Sequence, residues 1–270
     1  MNNIILNYGD SQGEVFDYVF YNDKTYIKYI DDNRVGWRSG WSTRGLMKNE
    51  HKIRLFQPLD DILENNLNNL NNLNNVFIFL TFGSVDIEWN LSYKRNILNE
   101  NIDTDKFIDE MILVYHKVLE KYLQKKILAK QKGINIFIII CFPFIPLPLS
   151  NEYMKKFSEK TDTEYYEVID YSERCKLWNI YCEKMIDLVN KYYKHLVYII
   201  DIRESFKNNG FKNYLTEEED HHPDISKTQY LIINQLKKIT FNTFDDISIQ
   251  LDCNNWNKHY MYQHVRRPFN

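Results

Sequence analysis

The order of the apolar runs is the feature that most limits how this chain can fold. Runs of strand length at residues 4–8, 76–81, 134–141 and 197–202 are separated by long stretches with helical periodicity. The third run contains INIFIII, residues 134–140, which is too continuously apolar for a strand with one face in water. Because buried strands that alternate with helices form doubly wound sheets, we predict an α/β fold with a mostly parallel sheet.

Helices are predicted where apolar residues recur every three or four positions, over residues 59–73, 105–130 and 174–195. A last helix is predicted to start at Ser226, with Gln229 completing an S-x-x-Q capping box. The asparagine-rich segment 65–75 could be disordered, but leucines at helical spacing favour a helix with an Asn-coated face. A shorter alternating run at residues 25–30 is a candidate second or edge strand.

The length of 270 residues is enough to bury one large core. We expect one α/β domain over residues 1–240. Residues 241–270 show no clear period, and we expect this C-terminal extension to pack on the same domain.

Composition argues against several classes of protein. The net charge of −3 gives no basic surface for nucleic acid, and no apolar run is long and unbroken enough to cross a bilayer. Without a secretory signal pattern, we expect an intracellular protein, with no membrane partner. The four cysteines form no CxxC pair, so we expect reduced thiols and no metal centre. The oligomeric state is left open.

Four polar segments follow predicted strands or precede the last helix. They are Gly9-Asp10-Ser11, GWRSGWSTRGL at residues 36–46, Gly83-Ser84-Val85-Asp86, and EEEDHHP at residues 217–223. Each alone is typical of a turn. Because the carboxyl ends of parallel strands meet at one edge of a sheet, we expect the four segments to converge there.

In this order the segments resemble the sequence blocks of the SGNH, or GDSL, hydrolase superfamily, over roughly residues 3–238. The resemblance implies a flavodoxin-like α/β/α three-layer sandwich and an esterase, lipase or carbohydrate acyl-esterase activity without a cofactor. It implies that Ser11 is the nucleophile and that a backbone N–H of Gly45, or of Gly40, stabilises the oxyanion. The third block of the family reads Gly-x-Asn-Asp, and Gly83 begins its counterpart here.

The last block of the family ends in Asp-x-x-His and is matched by His222 and Pro223. Serine is a weak nucleophile unless an imidazole accepts its proton, and an acid must orient that imidazole. We expect His222 to be the base, with Asp220 or Glu219 as its partner. A solvated acidic loop is the plainer interpretation of the same residues.

The asparagine of the third family block donates an N–H to the oxyanion. Asp86 lies at that place or one beside it, and an ionised carboxylate there would repel a developing oxyanion. It could serve only if burial keeps it protonated. A second hypothesis avoids the oxyanion: methyl transfer from S-adenosylmethionine to a sugar hydroxyl, with Asp10 and Asp86 facing the sulfonium and the His222 pair as base. The usual Gly-rich cofactor motif is missing. A third hypothesis is an inactive carbohydrate-binding module on the same fold.

The substrate is predicted to be a small molecule or glycan. Aromatic side chains near the polar segments suit the faces of sugar rings, although packing in the core would explain them equally well. They are Trp37, Trp41, Trp89 and Tyr93. We assign substrate binding to Trp41, Ser84, Trp89 and His221, and favour a carbohydrate over a lipid.

Overall fold

The computed structural model of the protein describes residues 2–19, 40–65, 73–162, 164–216 and 220–239. Among them, four strands pair side by side in chain order, and every pair is parallel. The strands are β1 (Asn2–Gly9), β2 (Leu73–Thr81), β3 (Asn135–Phe142) and β4 (Val197–Asp201). Each overlaps a predicted run, whereas the candidate strand at residues 25–30 lies outside the described residues.

Helices connect the strands and cover the sheet. They are α1 (Val15–Val19), α2 (Asn49–Asn65), α3 (Leu91–Asn96), α4 (Thr104–Gln131), α5 (Asn151–Thr161), α6 (Tyr171–Tyr192), α7 (Arg203–Asn209) and α8 (Ile225–Ile239). Single-turn segments lie at Ser11–Glu14, Thr43–Gly45 and Phe211–Tyr214, and a π-helix runs over Val85–Asn90. Side chains that cap free N–H groups fix where several helices begin, as Asp103 does for α4 and Ser150 for α5.

The two faces of the sheet carry separate apolar clusters. Alternate residues of a strand point to opposite faces, and β2 sends Ile78 into the cluster with α4 and α6, but Phe79 into the cluster with α1 and α8. Helices therefore cover both faces of a parallel sheet. The predicted three-layer α/β sandwich is confirmed.

Two predicted boundaries are wrong. The helix expected over residues 59–73 is described up to Asn65, and residues 66–72 lie outside the described part. Leu73 belongs to β2, because pairing with β1 extends that strand back to a partner of Asn2. The last helix begins at Ile225, so Ser226 lies inside it and does not precede it.

The described part of the predicted domain 1–240 shares this one sheet, and the predicted extension 241–270 lies outside the described residues. Of the cysteines, Cys141, Cys175 and Cys182 have free thiols, and Cys253 lies outside the described part. No helix within the described ranges is both long and apolar enough to cross a membrane.

Candidate active site

The site begins where β1 ends against β2. The Asp10 N–H donates to the carbonyl oxygen of Thr81 over 2.8 Å, which holds the ends of the two strands together. A Cβ atom on Gly9 would collide with that carbonyl group, so only glycine allows so close an approach. The chain then turns directly into the segment Ser11–Glu14.

Asp10 builds the loop that presents Ser11. One carboxylate oxygen accepts the Gln12 N–H over 3.0 Å, and the other accepts the Ser84 hydroxyl over 2.7 Å and its N–H over 3.2 Å. Asp10 is 1% exposed, and this burial raises its pKa to about 6 against the lowering effect of the Ser84 hydrogen bond. Asp10 and Ser84 therefore tie the first and third polar segments together.

Ser11, His222 and Asp220 form a hydrogen-bonded chain. The Ser11 Oγ lies 2.7 Å from His222 Nε2, and His222 Nδ1 lies 3.0 Å from Asp220 Oδ1. The backbone N–H of His222 donates to the same carboxylate oxygen over 3.1 Å. This order of hydroxyl, imidazole and acid is the arrangement that activates a serine for attack.

Asp220 is the acid that the structure places at His222, while Glu219, the other predicted partner, lies outside the described residues. Burial acts to raise the pKa of Asp220, but hydrogen bonds from His221 and His222 outweigh it and hold the pKa well below its usual range. The Asp220 carboxylate is therefore ionised.

A small cavity lies beside the Ser11 hydroxyl. Its walls combine apolar and polar side chains. They are Ser11, Gln12, Glu14, Val15, Pro143, His222, Pro223, Ile225 and Thr228. The predicted substrate residues Trp41, Ser84, Trp89 and His221 are not in this lining. The first turn of α8 and the turn after β1 shape the cavity instead.

The predicted aromatic substrate platform is not present at Trp41. Trp41 is 4% exposed and packs edge-on against Phe82, with ring centroids 5.3 Å apart, so its face is in the core. Trp89 stacks on Phe157 at 4.8 Å, and Tyr93 packs edge-on against Tyr166. Ser84 is buried and uses its hydroxyl on Asp10. Trp37 lies outside the described residues.

The second polar segment does not offer the predicted oxyanion donor. The Gly45 N–H donates to the carbonyl and hydroxyl oxygens of Ser42, each at 3.2 Å. The alternative, Gly40, is exposed, and a Cβ there would meet no atom within 4 Å. Gly83 has a structural role: its φ is +120°, and a Cβ would lie 2.5 Å from the Tyr181 ring.

Asp86 anchors the second segment to the third. It is fully buried, and its carboxylate accepts the Thr43 N–H over 2.6 Å and the Asn90 side-chain N–H over 3.4 Å. Burial raises the pKa of Asp86 to about 6, against the lowering effect of the Thr43 hydrogen bond. Asp86 therefore holds a loop, and aligned with Gly-x-Asn-Asp it is Val85 that replaces the asparagine.

Sequence analysis missed two residues that contact His221, Tyr153 and Gln12. The Tyr153 hydroxyl lies 2.6 Å from His221 Nδ1, which is itself 3.1 Å from Asp220 Oδ1. Gln12 donates through its side chain to the His221 carbonyl oxygen over 3.3 Å. Tyr153 lies on α5, away from any strand end, whereas the position of Gln12 directly after Ser11 was a usable signal.

A buried ion pair lies beneath the site. Arg174 Nη1 donates to Glu88 Oε1 over 3.1 Å, and the same guanidinium donates to the carbonyl oxygens of Leu147 and Ile169. Both side chains are essentially inaccessible, and burial raises the pKa of Glu88 to about 7 despite the charge of Arg174. A positive charge on His222 acts to lower the pKa of Glu88.

Within the described ranges, Asp220, His221 and His222 form the one group of three whose ligand atoms lie within 4.8 Å of one another and could hold a metal ion. From the sequence, a metal site built from Asp10, Asp86 and the two histidines was conceivable, but nothing in the spacing recommended it. One of these residues, His222, also contacts Ser11.

No protein-family model and no curated protein matches the chain. Among solved structures, the chain is similar to the lipase/acylhydrolase from Enterococcus faecalis, at 12% sequence identity and a TM-score of 0.36. The similarity covers 88% of this chain and 96% of that chain.

Proposed function

We propose that the protein is an ester hydrolase in which Ser11 is the nucleophile, His222 the general base and Asp220 the acid that orients it. The observation that supports this most directly is the pair of distances on His222, 2.7 Å to Ser11 Oγ and 3.0 Å to Asp220 Oδ1. Geometry of this kind converts a serine hydroxyl into a usable nucleophile.

In the proposed reaction, Ser11 Oγ attacks the ester carbonyl carbon while its proton passes to His222 Nε2. The tetrahedral intermediate then collapses, and the leaving alcohol takes that proton from Nε2. Water attacks the acyl-Ser11 intermediate with His222 again as base, which releases the acid and restores the serine. The ionised Asp220 stabilises the imidazolium formed in both halves.

The oxyanion requires a hydrogen-bond donor near Ser11. We assign the Ser11 N–H, because the first N–H groups of a helical turn have no partner within that turn, and Ser11 begins one. The Gly45 N–H donates to Ser42, and the side chain of Val85 carries no donor. Since one oxyanion donor contributes about 3–4 kcal/mol in a well-studied protease, we expect a slower enzyme than one with a full set of donors.

For the substrate we propose a short acyl ester, such as an acetyl group on a carbohydrate hydroxyl. The small cavity places Val15, Pro143 and Ile225 where a short apolar acyl chain would contact them. Thr228 and Glu14 supply polar atoms for the alcohol part.

The methyl-transfer hypothesis loses its electrostatic basis. Asp10 and Asp86, which it required to face a sulfonium, are both buried and hydrogen-bonded within the protein. We therefore do not extend the proposal to S-adenosylmethionine. The following experiment also tests the third hypothesis, an inactive binding module.

The experiment measures hydrolysis of p-nitrophenyl acetate and of acetylated sugars, together with labelling by a fluorophosphonate probe. Ser11→Ala is expected to lower turnover by about 10³-fold or more and to abolish labelling at residue 11. Ser172→Ala, at an exposed serine on α6, is the matched control and keeps both. Equal turnover in wild type and Ser11→Ala would refute the assignment of Ser11 as nucleophile. A wild type that neither hydrolyses ester nor reacts with the probe would favour the binding module.

A further inference from the structure

Two imidazole rings approach the same carboxylate oxygen. Asp220 Oδ1 lies 3.1 Å from His221 Nδ1 and 3.0 Å from His222 Nδ1. The ring centroids of the two histidines are 3.8 Å apart. A serine–histidine–acid relay needs one imidazole on its acid, so His221 is an additional nitrogen ligand at this position.

The spacing of these three atoms is close to that around a tetrahedral metal ion. With Zn²⁺ bonds of about 2.0–2.1 Å to nitrogen and oxygen, neighbouring ligand atoms lie about 3.3 Å apart. The two N–O distances here differ from that value by a few tenths of an ångström, and each of the three residues has a ligand atom within 4.8 Å of one on the other two. Small side-chain movements would complete three of the four positions.

Access and charge also suit a cation. The side chains of Asp220, His221 and His222 are 27%, 13% and 18% exposed, so an ion can reach them from solvent. The Asp220 carboxylate supplies negative charge at the position that the ion would occupy. Two imidazoles with one carboxylate favour zinc or a similar transition metal over Mg²⁺ or Ca²⁺, which prefer oxygen ligands.

We propose that Asp220, His221 and His222 form an inhibitory site for Zn²⁺, which binds through the two Nδ1 atoms and Asp220 Oδ1. Binding replaces the hydrogen bond between the Tyr153 hydroxyl and His221 Nδ1. The inhibition rests on the hydrolase activity proposed above, whereas the binding does not.

The inhibition follows from the position of one proton. In the relay, His222 carries its proton on Nδ1, so that Nε2 can accept the proton of Ser11. When Zn²⁺ takes the lone pair of Nδ1, the neutral ring carries its proton on Nε2. That nitrogen then donates to Ser11 Oγ and cannot accept its proton, so the attack stops until the metal leaves.

The test uses chelator-treated full-length protein, titrated calorimetrically with ZnCl₂, and hydrolysis assays at the same zinc concentrations. We expect one equivalent of Zn²⁺ to bind, inhibition with the same midpoint, full recovery with a chelator, and no effect of MgCl₂. Ser11→Ala removes no ligand, so it is expected to bind Zn²⁺ like the wild type although it does not hydrolyse ester.

The decisive variant is His221→Gln, which is expected to bind Zn²⁺ at least tenfold more weakly than the wild type. The zinc concentration that halves its own uninhibited rate is expected to rise by the same factor. His116→Gln is the matched control, because His116 Nδ1 also lies 2.6 Å from a tyrosine hydroxyl, that of Tyr193. Unchanged binding in His221→Gln would overturn the site, and binding without inhibition would overturn the proton argument. A wild type that binds zinc but hydrolyses no ester would refute the proposed function and leave the metal site standing.

Discussion

Two sets of ionisable residues lie at the same edge of the sheet and differ in exposure and in the direction of their pKa shifts. The inner acids, Asp10, Asp86 and Glu88, are at most 1% exposed, and burial raises the pKa of each. The outer triplet, Asp220, His221 and His222, is half-buried, and imidazole hydrogen bonds hold the pKa of Asp220 well below its usual range.

The hydrogen-bond partners of the two sets explain the difference. The inner acids accept mainly from fixed groups of the fold, such as the Ser84 hydroxyl, the Thr43 N–H and the Arg174 guanidinium. Asp220 accepts from two rings at the border of solvent. The inner acids therefore hold segments of the fold in place, whereas Asp220 can support proton transfer. Proximity to the serine does not distinguish them, since Asp10 is its neighbour in the chain.

Asp220→Asn is the sharpest test of the outer triplet. The amide keeps the shape of the side chain but loses the charge that stabilises the imidazolium, so we expect ester turnover to fall by about 10³–10⁴-fold. The free energy of unfolding is expected to fall by less than the ~3–5 kcal/mol that loss of a fully buried ionic partner costs, because the side chain is partly exposed and the amide keeps an acceptor oxygen. Parallel assays of hydrolysis and urea unfolding measure both, and a large loss of stability would place Asp220 with the inner acids.

Glu88→Ala is the corresponding test of the inner acids. It leaves Arg174 charged and buried without its carboxylate, and removing one partner of such a pair costs about 3–5 kcal/mol of unfolding free energy. The control is Glu173→Ala, which removes a half-exposed partner of Arg95 and is expected to cost at most about 1 kcal/mol. Urea unfolding measures the loss of unfolding free energy in both variants. Equal losses would show that burial of the ion pair does not make it more important for stability.

The pH dependence of stability is a smaller effect with a definite sign. The pKa of Glu88 is raised from 4.5 to about 7, so the folded state binds more protons than the unfolded state between those values. The contribution of Glu88 to the free energy of unfolding therefore falls as pH rises through this range. In Glu88→Gln the slope of unfolding free energy against pH is expected to be shallower over this window. Equal slopes would show that Glu88 stays ionised when buried.

Local patterns were enough to predict the order of strands and helices. β3 and α4 follow their apolar runs to within one residue, because burial on both faces leaves a continuous apolar segment and burial on one face leaves a helical stripe. The start of β2 could not be predicted this way. Leu73 is in a strand because it pairs with Asn2, a partner far away in the chain.

The order of the strands predicted that the segments holding Ser11 and His222 converge, whereas the roles of these two residues were implied by the resemblance to the SGNH hydrolase blocks. Which groups face solvent could not be predicted, because it depends on packing between segments distant in sequence. Trp41 lies in the core beside Phe82, and Asp86 faces Thr43. Tyr153 comes from a helix that no strand pattern connects to the site.

The distance along the chain between Ser11 and His222, 211 positions, has a consequence for synthesis. A ribosome makes the serine early, but no fragment that stops before residue 222 contains both groups. The loop that presents Ser11 also needs Thr81 and Ser84, which belong to a later part of the chain. Under the proposed mechanism, a nascent chain gains hydrolase activity only after the segments that hold Ser11 and His222 have come together.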